Sequence, residues 1–481
     1  MLRTAANLRE GVVVEPQRHI PVREEVDVLV AGGGLAGVSA AVAAARAGAR
    51  TLLVERNSYP GGVATAGMCC SVFNAYYTAT HELVVKGNSL QFVDELAKAE
   101  GPGSEWHNHK GHIIYDVERA KLVLTDLLER AGSRYLLGTL VTNVIMDGEA
   151  VSGVIIESKS GREALRAKVV VDATGDADIA QLSGAPMRGF GDDGGGLHSL
   201  VFRMGNVDVD AFVDYFAQNP DQYPPYMDVD WQFEEAQEQY RKTGTFLFPH
   251  GGGEQMRLIQ EGVASGEYPE QVGVHTQIDA LQMHAIRDLG VVHLITGFCR
   301  FGDPDIDKIT RGIADGRKMA FEVADYFRKH VPGFERCFVN ATGDNLGVRV
   351  TRWIDGEFVF TPEMKGEPTR FDDAIGRGAV EHDFVKNPAP GAWGVQTFKE
   401  GAFDIPYRCL LPREVDGLVM GAGRSVSAAN PWLLRAMAMT MVVGQGAGAG
   451  AAEAVRQGVQ PRSVDVEQVQ AQLGLQGVDL G

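Results

Sequence analysis

The run Val26-Asp27-Val28-Leu29-Val30-Ala31, followed without a break by Gly32-Gly33-Gly34-Leu35-Ala36-Gly37, leaves the chain little choice of local structure. The first segment is β-branched and apolar, as a buried parallel strand should be. Val38 to Ala47 is rich in alanine and favours a helix, Gly48 ends it, and Thr51-Leu52-Leu53-Val54 reads as a second strand closed by Glu55. Gly32 permits the tight turn out of the strand, Gly34 lets a phosphate approach the backbone, and Gly37 lets the helix pack closely on the sheet. The helix start at Leu35 and Ala36 presents N–H groups and a positive dipole end to that phosphate. Glu55, with Arg56 beside it, stands where a carboxylate accepts from ribose hydroxyls. Together these residues predict a unit that holds a dinucleotide.

Three later features select FAD over a nicotinamide cofactor. Tyr59-Pro60-Gly61-Gly62-Val63-Ala64-Thr65 offers a second glycine loop on the same side, with Gly61, Gly62, Ala64 and Thr65 as contacts. A β-meander is expected over Leu136 to Ile156, with Val141 on the cofactor. Ala167 to Val171 then returns to the sheet and runs into Asp172-Ala173-Thr174-Gly175-Asp176, where Ala173, Thr174 and Gly175 are the contacts. Gly417-Leu418-Val419-Met420-Gly421-Ala422-Gly423-Arg424 is a further strand-to-glycine turn near the carboxyl end. A flavoprotein needs such a returning element to hold the isoalloxazine at the far end of a long cofactor. Asn430-Pro431 reads as the start of a long helix running through Leu433, Met437 and Met441 toward Gly450. Its positive end would stabilise the charge of reduced flavin around N1 and O2, with Gly423, Arg424, Pro431 and Leu433 nearby.

These segments resemble the FAD-dependent oxidoreductase family of the glutathione-reductase-like superfamily, relatives of the fumarate reductase and succinate dehydrogenase flavoproteins and of the flavin portion of heterodisulfide reductases. The resemblance runs through Asp27 to Gly37, Pro60 to Thr65, Tyr115-Asp116-Val117-Glu118 and Val169 to Asp178. It continues through Leu346-Gly347-Val348-Arg349, Ile405-Pro406-Tyr407-Arg408 with Leu411-Pro412, and Gly423-Arg424 with Gly444-Gln445. The family often carries an Arg-Glu-Ser-Arg-Arg-like run after Gly-Val, whereas this chain reads Arg349-Val350-Thr351-Arg352-Trp353. The Cys-x-x-Cys clusters of the iron–sulfur relatives are absent, so a stand-alone flavoprotein is implied. FAD is expected to be held non-covalently. Cys69 and Cys70 follow the second glycine loop, but neighbours in the chain cannot form the Cys-x-x-Cys dithiol of relatives.

The expected architecture is α/β, a Rossmann-like FAD-binding domain with a central parallel sheet and β-meander, into which an α+β substrate domain is inserted. We place an amino-terminal arm at 1–24, the FAD domain at 25–196 and 404–460, the insert at 197–403 and a tail at 461–481. The insert is marked by aromatic and proline-rich stretches such as Phe246-Leu247-Phe248-Pro249, with helices around Glu234 to Lys242 and Ile313 to Lys329. Its candidate catalytic groups are Arg349 and Arg352, which the resemblance puts near the flavin, and His382 as a base. His198, His250 and His275 are weaker candidates, and no histidine pair has metal-site spacing.

Lys and Arg number 45 against 63 Asp and Glu, a formal charge of −18, which disfavours nucleic acid or an anionic membrane as partner. Five sparse cysteines suggest a reducing compartment, and the uncharged stretch between Arg435 and Glu453 is too short and Gly-rich to span a bilayer, so a cytoplasmic protein is expected. A single dinucleotide fingerprint means that the substrate itself reduces the flavin. The expected reaction is hydride transfer from a small organic substrate to flavin N5, with O2, a quinone or another protein as electron acceptor and a homo-oligomer allowed. The alternatives are C=C reduction of the fumarate reductase type, with the arginines anchoring a carboxylate, and a flavin-binding subunit that relays electrons.

Overall fold

The computed structural model describes residues 7–9, 12–15, 17–72, 76–78, 82–100, 113–190, 196–224, 232–250, 252–366, 369–379, 382–384, 395–397 and 401–481. Strand β1 (Val22–Ala31) leads into helix α1 (Leu35–Arg46), and β2 (Thr51–Val54) lies parallel to β1 with Val28 opposite Thr51. Helices α2 (Gly87–Glu100) and α3 (Val117–Ala131) follow, and β3 (Arg134–Leu136) adds parallel to β2. The meander is β4 (Leu140–Asp147), β5 (Ala150–Ser158) and β6 (Gly161–Asp172), each antiparallel to the next.

Strand β6 does more than close the meander. Along one edge it pairs parallel with β1 from Ala164 to Asp172. Along the other, its first half pairs with β5 and its last three residues pair parallel with Leu418–Met420, late in the chain. One twelve-residue strand therefore belongs to both the meander and the parallel sheet. Its carboxyl half, Val169 to Val171, is apolar and fully enclosed, as a strand covered on both faces requires.

A second sheet forms from later segments and is entirely antiparallel. Its order is β8 (Thr245–Phe248), β9 (Gln282–Ile286), β10 (Val291–Ile295), β7 (Phe202–Gly205) and β11 (Phe338–Thr342). Helix α4 (Ile306–His330) packs on it, longer at both ends than the expected Ile313 to Lys329, and Asp305 caps it by accepting from Asp307 and Lys308 N–H. Phe212, Phe216, Tyr223, Phe246 and Phe248 pack in a single aromatic core, with edge-to-face, tilted and stacked ring pairs.

The chain then returns to the first sheet through β12 (Leu418–Met420) and the long helix α5 (Met437–Gln457). Helices α1 and α5 approach backbone to backbone because both are built of small residues. A Cβ on Gly444 would fall inside the Ala36 carbonyl, and one on Gly448 inside that of Ala40. Ser39 Oγ donates to Met441 O at 2.6 Å across the same seam. Helix α6 (Val466–Leu475) folds back on α5, and Gly87 N donates to Gly477 O. No helix among the described residues is long and apolar enough to cross a membrane.

Gly444→Ala and Gly448→Ala are therefore expected to destabilise the protein by about 1–3 kcal/mol through overpacking. In a free helix the same change favours folding by roughly 1 kcal/mol. Urea unfolding of each variant reads the sign, and a stabilised variant would contradict the backbone contact.

Candidate active site

The two glycine loops meet face to face. Gly61 N donates to Gly33 O at 2.7 Å, and Gly34 and Gly61 form a parallel bridge. Gly61 and Gly62 both have left-handed backbone, with φ of 116° and 56°, which explains glycine at both positions. Gly32, with φ of 101°, passes so close to Ala173 O and Thr174 N that any side chain would collide with them. Gly37 is pressed against Gly32 O and the Ala173 methyl group. Gly34 is different. Its φ of −64° suits any residue, and a Cβ there would meet only Gly62 Cα, at 4.0 Å. The space in front of Gly34 is left open by the protein, as a bound pyrophosphate requires.

Helix electrostatics agree with that use. Asp116, Asp208, Asp305 and Asp465 cap their helices with side-chain hydrogen bonds. Helices α1 and α5 begin instead at Gly34 and Ala436 with no side-chain cap, which leaves their positive ends open to an anionic ligand. Glu55, buried at the end of β2, accepts from Gly33 N at 2.6 Å and from Asn57 N at 2.8 Å. A carboxylate has about four acceptor positions, so both oxygens keep capacity for a ribose. Arg56 beside it is exposed, and Val141 lies in β4 opposite Ile156. Thr65 is turned inward, its hydroxyl donating to Pro60 O at 2.8 Å, with Ala64 fully buried next to it.

The turn after β6 is built around Asp172. Its carboxylate accepts from Thr174 N and Oγ1 and from the N–H groups of Ile179 and Ala180. Burial pushes its pKa up to about 6, and the Thr174 hydroxyl works against that shift. Gly175, with φ of 92°, packs against the Arg424 guanidinium, which donates to Asp176 at 3.0 Å and to Val348 O at 2.8 Å.

The expected long helix beginning at Asn430-Pro431 is in fact two elements. Asn430 does cap, accepting from Trp432 N at 3.0 Å, and Pro431 takes the first helical position, but Pro431–Leu434 is only a short 3₁₀ turn. Ala436 is extended, with ψ of 143°, and breaks the run before α5 starts at Met437. The break follows from Gly423, which lies directly on Leu434 O and ties its N–H to Thr440 Oγ1 at 2.9 Å. Pro431 and Leu433 are buried in this turn.

Beyond the α5 start the arginines separate. Arg352 donates through Nε to Asp176 O at 2.6 Å and pairs with Asp178, so its partners lie in the segment that follows β6. Arg349 has no carboxylate partner among the described residues. It donates to Leu197 O at 2.8 Å and lies over the Phe298 ring at 5.0 Å. Its guanidinium is deep in the protein, where burial and the charge of Arg435 push it down to about 9, yet the residue keeps accessible surface. His250 and Cys69 share that combination of depth and exposure, and each feels the charge of Arg349 and Arg435. We take the accessible surface that these three interacting, deep groups keep as the cleft of a candidate site. Burial holds His250 neutral and the Cys69 thiol protonated.

His198 is buried beneath Arg349. Its Nε2 lies 2.9 Å from Phe301 O, and its Nδ1 accepts from Arg349 N at 3.1 Å, which fixes the tautomer and the backbone of that arginine. His275 is buried between the carbonyls of Gly297 and Gly312, away from this cluster. His382 lies in a short strand, His382–Phe384, paired with Val395–Thr397, and its side chain is outside the described residues. Phe298 and Arg435 gave no motif. Arg435 could have been noticed as the last charge before the uncharged helix.

Gly34→Ala is expected to cost about 1 kcal/mol or less in apoprotein stability, because it touches nothing and merely worsens an N-cap. It should nevertheless abolish dinucleotide binding. Gly37→Ala should lose both stability and binding. Thermal unfolding with and without added cofactor separates the two, and a Gly34→Ala protein that binds normally would refute the placement.

A model of the FAD dependent oxidoreductase family matches residues 27–473. Thiamine thiazole synthase of Methanococcus aeolicus is 32% identical over 166 residues, covering 32% of this chain and 57% of that protein. A probable fumarate reductase, Ifc3, of Shewanella frigidimarina is 29% identical over 190 residues, 32% of each chain. The chain spans about half the length of the thiamine thiazole synthases it matches. Among solved structures, a geranylgeranyl bacteriochlorophyll reductase-like protein of Thermoplasma acidophilum aligns over 94% of this chain and 83% of its own, at 15% identity and a TM-score of 0.41. With the family model extending from β1 into α6 and the cradle around Gly34 shaped for it, the chain belongs to the FAD dependent oxidoreductase family, and its cofactor is FAD.

Proposed function

We propose that this protein oxidises a small organic substrate bearing an anionic group, within the glutathione-reductase-like branch of flavoproteins related to fumarate reductase and succinate dehydrogenase. The observation that carries the reading is Arg349, a deep guanidinium facing the cleft with no carboxylate partner among the described residues. A buried charge kept without a partner costs several kcal/mol, and an incoming carboxylate removes that cost. Bound FAD supplies the hydride acceptor. Arg349 anchors the substrate, and its hydrogen bond to Leu197 O together with the His198 contact fixes its direction. His250, held neutral, accepts the proton that leaves the substrate hydroxyl or amine as its C–H hydride departs. Phe298 covers one face of Arg349 and excludes water from the ion pair.

The reading includes a small-molecule substrate, an electron acceptor drawn from O2, a quinone or a protein, a cytoplasmic location and possible self-association, without nucleic acid or membrane as partner. The five cysteines, all outside disulfides, support the location.

The test is anaerobic mixing of the FAD-loaded protein with small hydroxy acids, amino acids and saturated acids, followed by admission of air. Flavin bleaching by an acid but not by its amide is the expected result. Arg349→Gln should weaken that substrate by roughly 10²–10³-fold, as loss of one partner of a buried charge pair does. His250→Gln should lower kcat by about 10²–10⁴-fold while leaving KM nearly unchanged. Bleaching by neutral substrates alone, or acid bleaching that survives Arg349→Gln, would remove the anion reading.

A further inference from the structure

Behind the cleft, the second sheet carries a row of polar side chains where an antiparallel core sheet is normally apolar. Arg203 of β7 stands directly opposite His293 of β10, and His293 stands directly opposite His284 of β9. Residues paired this way share one face of the sheet with Cβ atoms about 5 Å apart. Both histidines are completely buried. His284 Nε2 lies 2.9 Å from the hydroxyl of Ser71, close along the chain to Cys69 in the cleft, and His284 also lies within electrostatic reach of His250. At the other end, Arg203 reaches the surface, 3.8 Å from Asp116.

His293 is the informative member. Neither of its ring nitrogens makes a well-formed hydrogen bond among the described residues, although the Met68 backbone lies near enough to act on it. Leaving a buried polar atom unpaired costs about 1–3 kcal/mol. A leucine would pack this position better, so mere filling of the core does not account for an imidazole.

We propose that His284 and His293, with water between them, carry protons between His250 in the cleft and the Arg203–Asp116 pair at the surface. The proposal rests on the reading of His250 as the base. Each substrate oxidised leaves one proton on an enclosed imidazole, and that proton must reach solvent before the next turnover. A neutral imidazole accepts a proton at one nitrogen and releases one from the other, so it relays charge without holding it. Burial keeps both histidines neutral, pushed down to about 3, and for His293 the charge of Arg203 adds to burial.

The experiment needs no substrate. FAD-loaded protein is reduced anaerobically by the methyl viologen radical, a one-electron donor that releases no proton, in a stopped-flow instrument with weak buffer and a pH indicator, so that arrival of the first electron, full bleaching and proton uptake are recorded together. In His293→Leu, the first electron should arrive at the wild-type rate, while full bleaching and the proton uptake it requires slow together by roughly 10–100-fold and gain a larger solvent deuterium isotope effect. His293→Gln, which preserves size and polarity but cannot relay, should show the same separation and decides the matter if the leucine variant fails to fold. Full bleaching and proton uptake at the wild-type rate in a folded, FAD-loaded His293 variant overturn the path. His250→Gln distinguishes the two readings. Slow uptake in the His293 variants with normal uptake in His250→Gln removes the base and keeps the path, and the opposite pattern removes the path and keeps the base.

Discussion

The contact on which this structure depends is the backbone-to-backbone approach of α1 and α5. Ala36 and Ala40 face Gly444 and Gly448 so closely that carbonyl oxygens occupy the places of missing side chains. Polar groups pin the seam: Ser39 donates to Met441 O, and Asn88 binds Ser39 O while its own N–H donates to Gln445. Helices held this tightly cannot change their crossing angle without moving the strands beneath them. Their uncapped amino ends are consequently fixed in mutual position.

The first sheet was legible because its constraints are local. A glycine that must turn left, a glycine that must admit a phosphate and a carboxylate that must close a strand are each recorded in single residues. Gly32, Gly34, Gly37, Glu55, Gly61 and Gly62 lie together in the structure. The start of α5 was not legible, because Asn430-Pro431 is a sound helix opening on local grounds. What breaks the helix is Gly423 pressing on Leu434, a contact between segments that the local pattern cannot report.

The substrate side was less legible still, and for a physical reason. Arg349 and Arg352 sit three residues apart in similar company, and only their tertiary partners divide them: Asp178 takes one, and no described acid takes the other. On the sequence His250 is only a weaker candidate. Its position beside Arg349 depends on how β8 pairs with β9, whose register places Leu247 opposite His284. Chemistry assembled by an antiparallel sheet leaves no short motif, since neighbours across strands are distant along the chain.

The position of β12 bears on how the protein comes into being. Val170 to Asp172 wait for Leu418 to Met420 as their partner along one edge, and α1 waits for α5. Nearly all of the chain must therefore leave the ribosome before the central sheet is complete. Until then a nascent chain displays an apolar strand edge with unpaired N–H and C=O groups, a surface that invites pairing with other chains. Contacts of such long sequence separation form slowly. Synthesis of this flavoprotein is thus a race between carboxyl-terminal closure and aggregation, and FAD arriving late, at a frame only α5 can finish, traps the closed form by mass action.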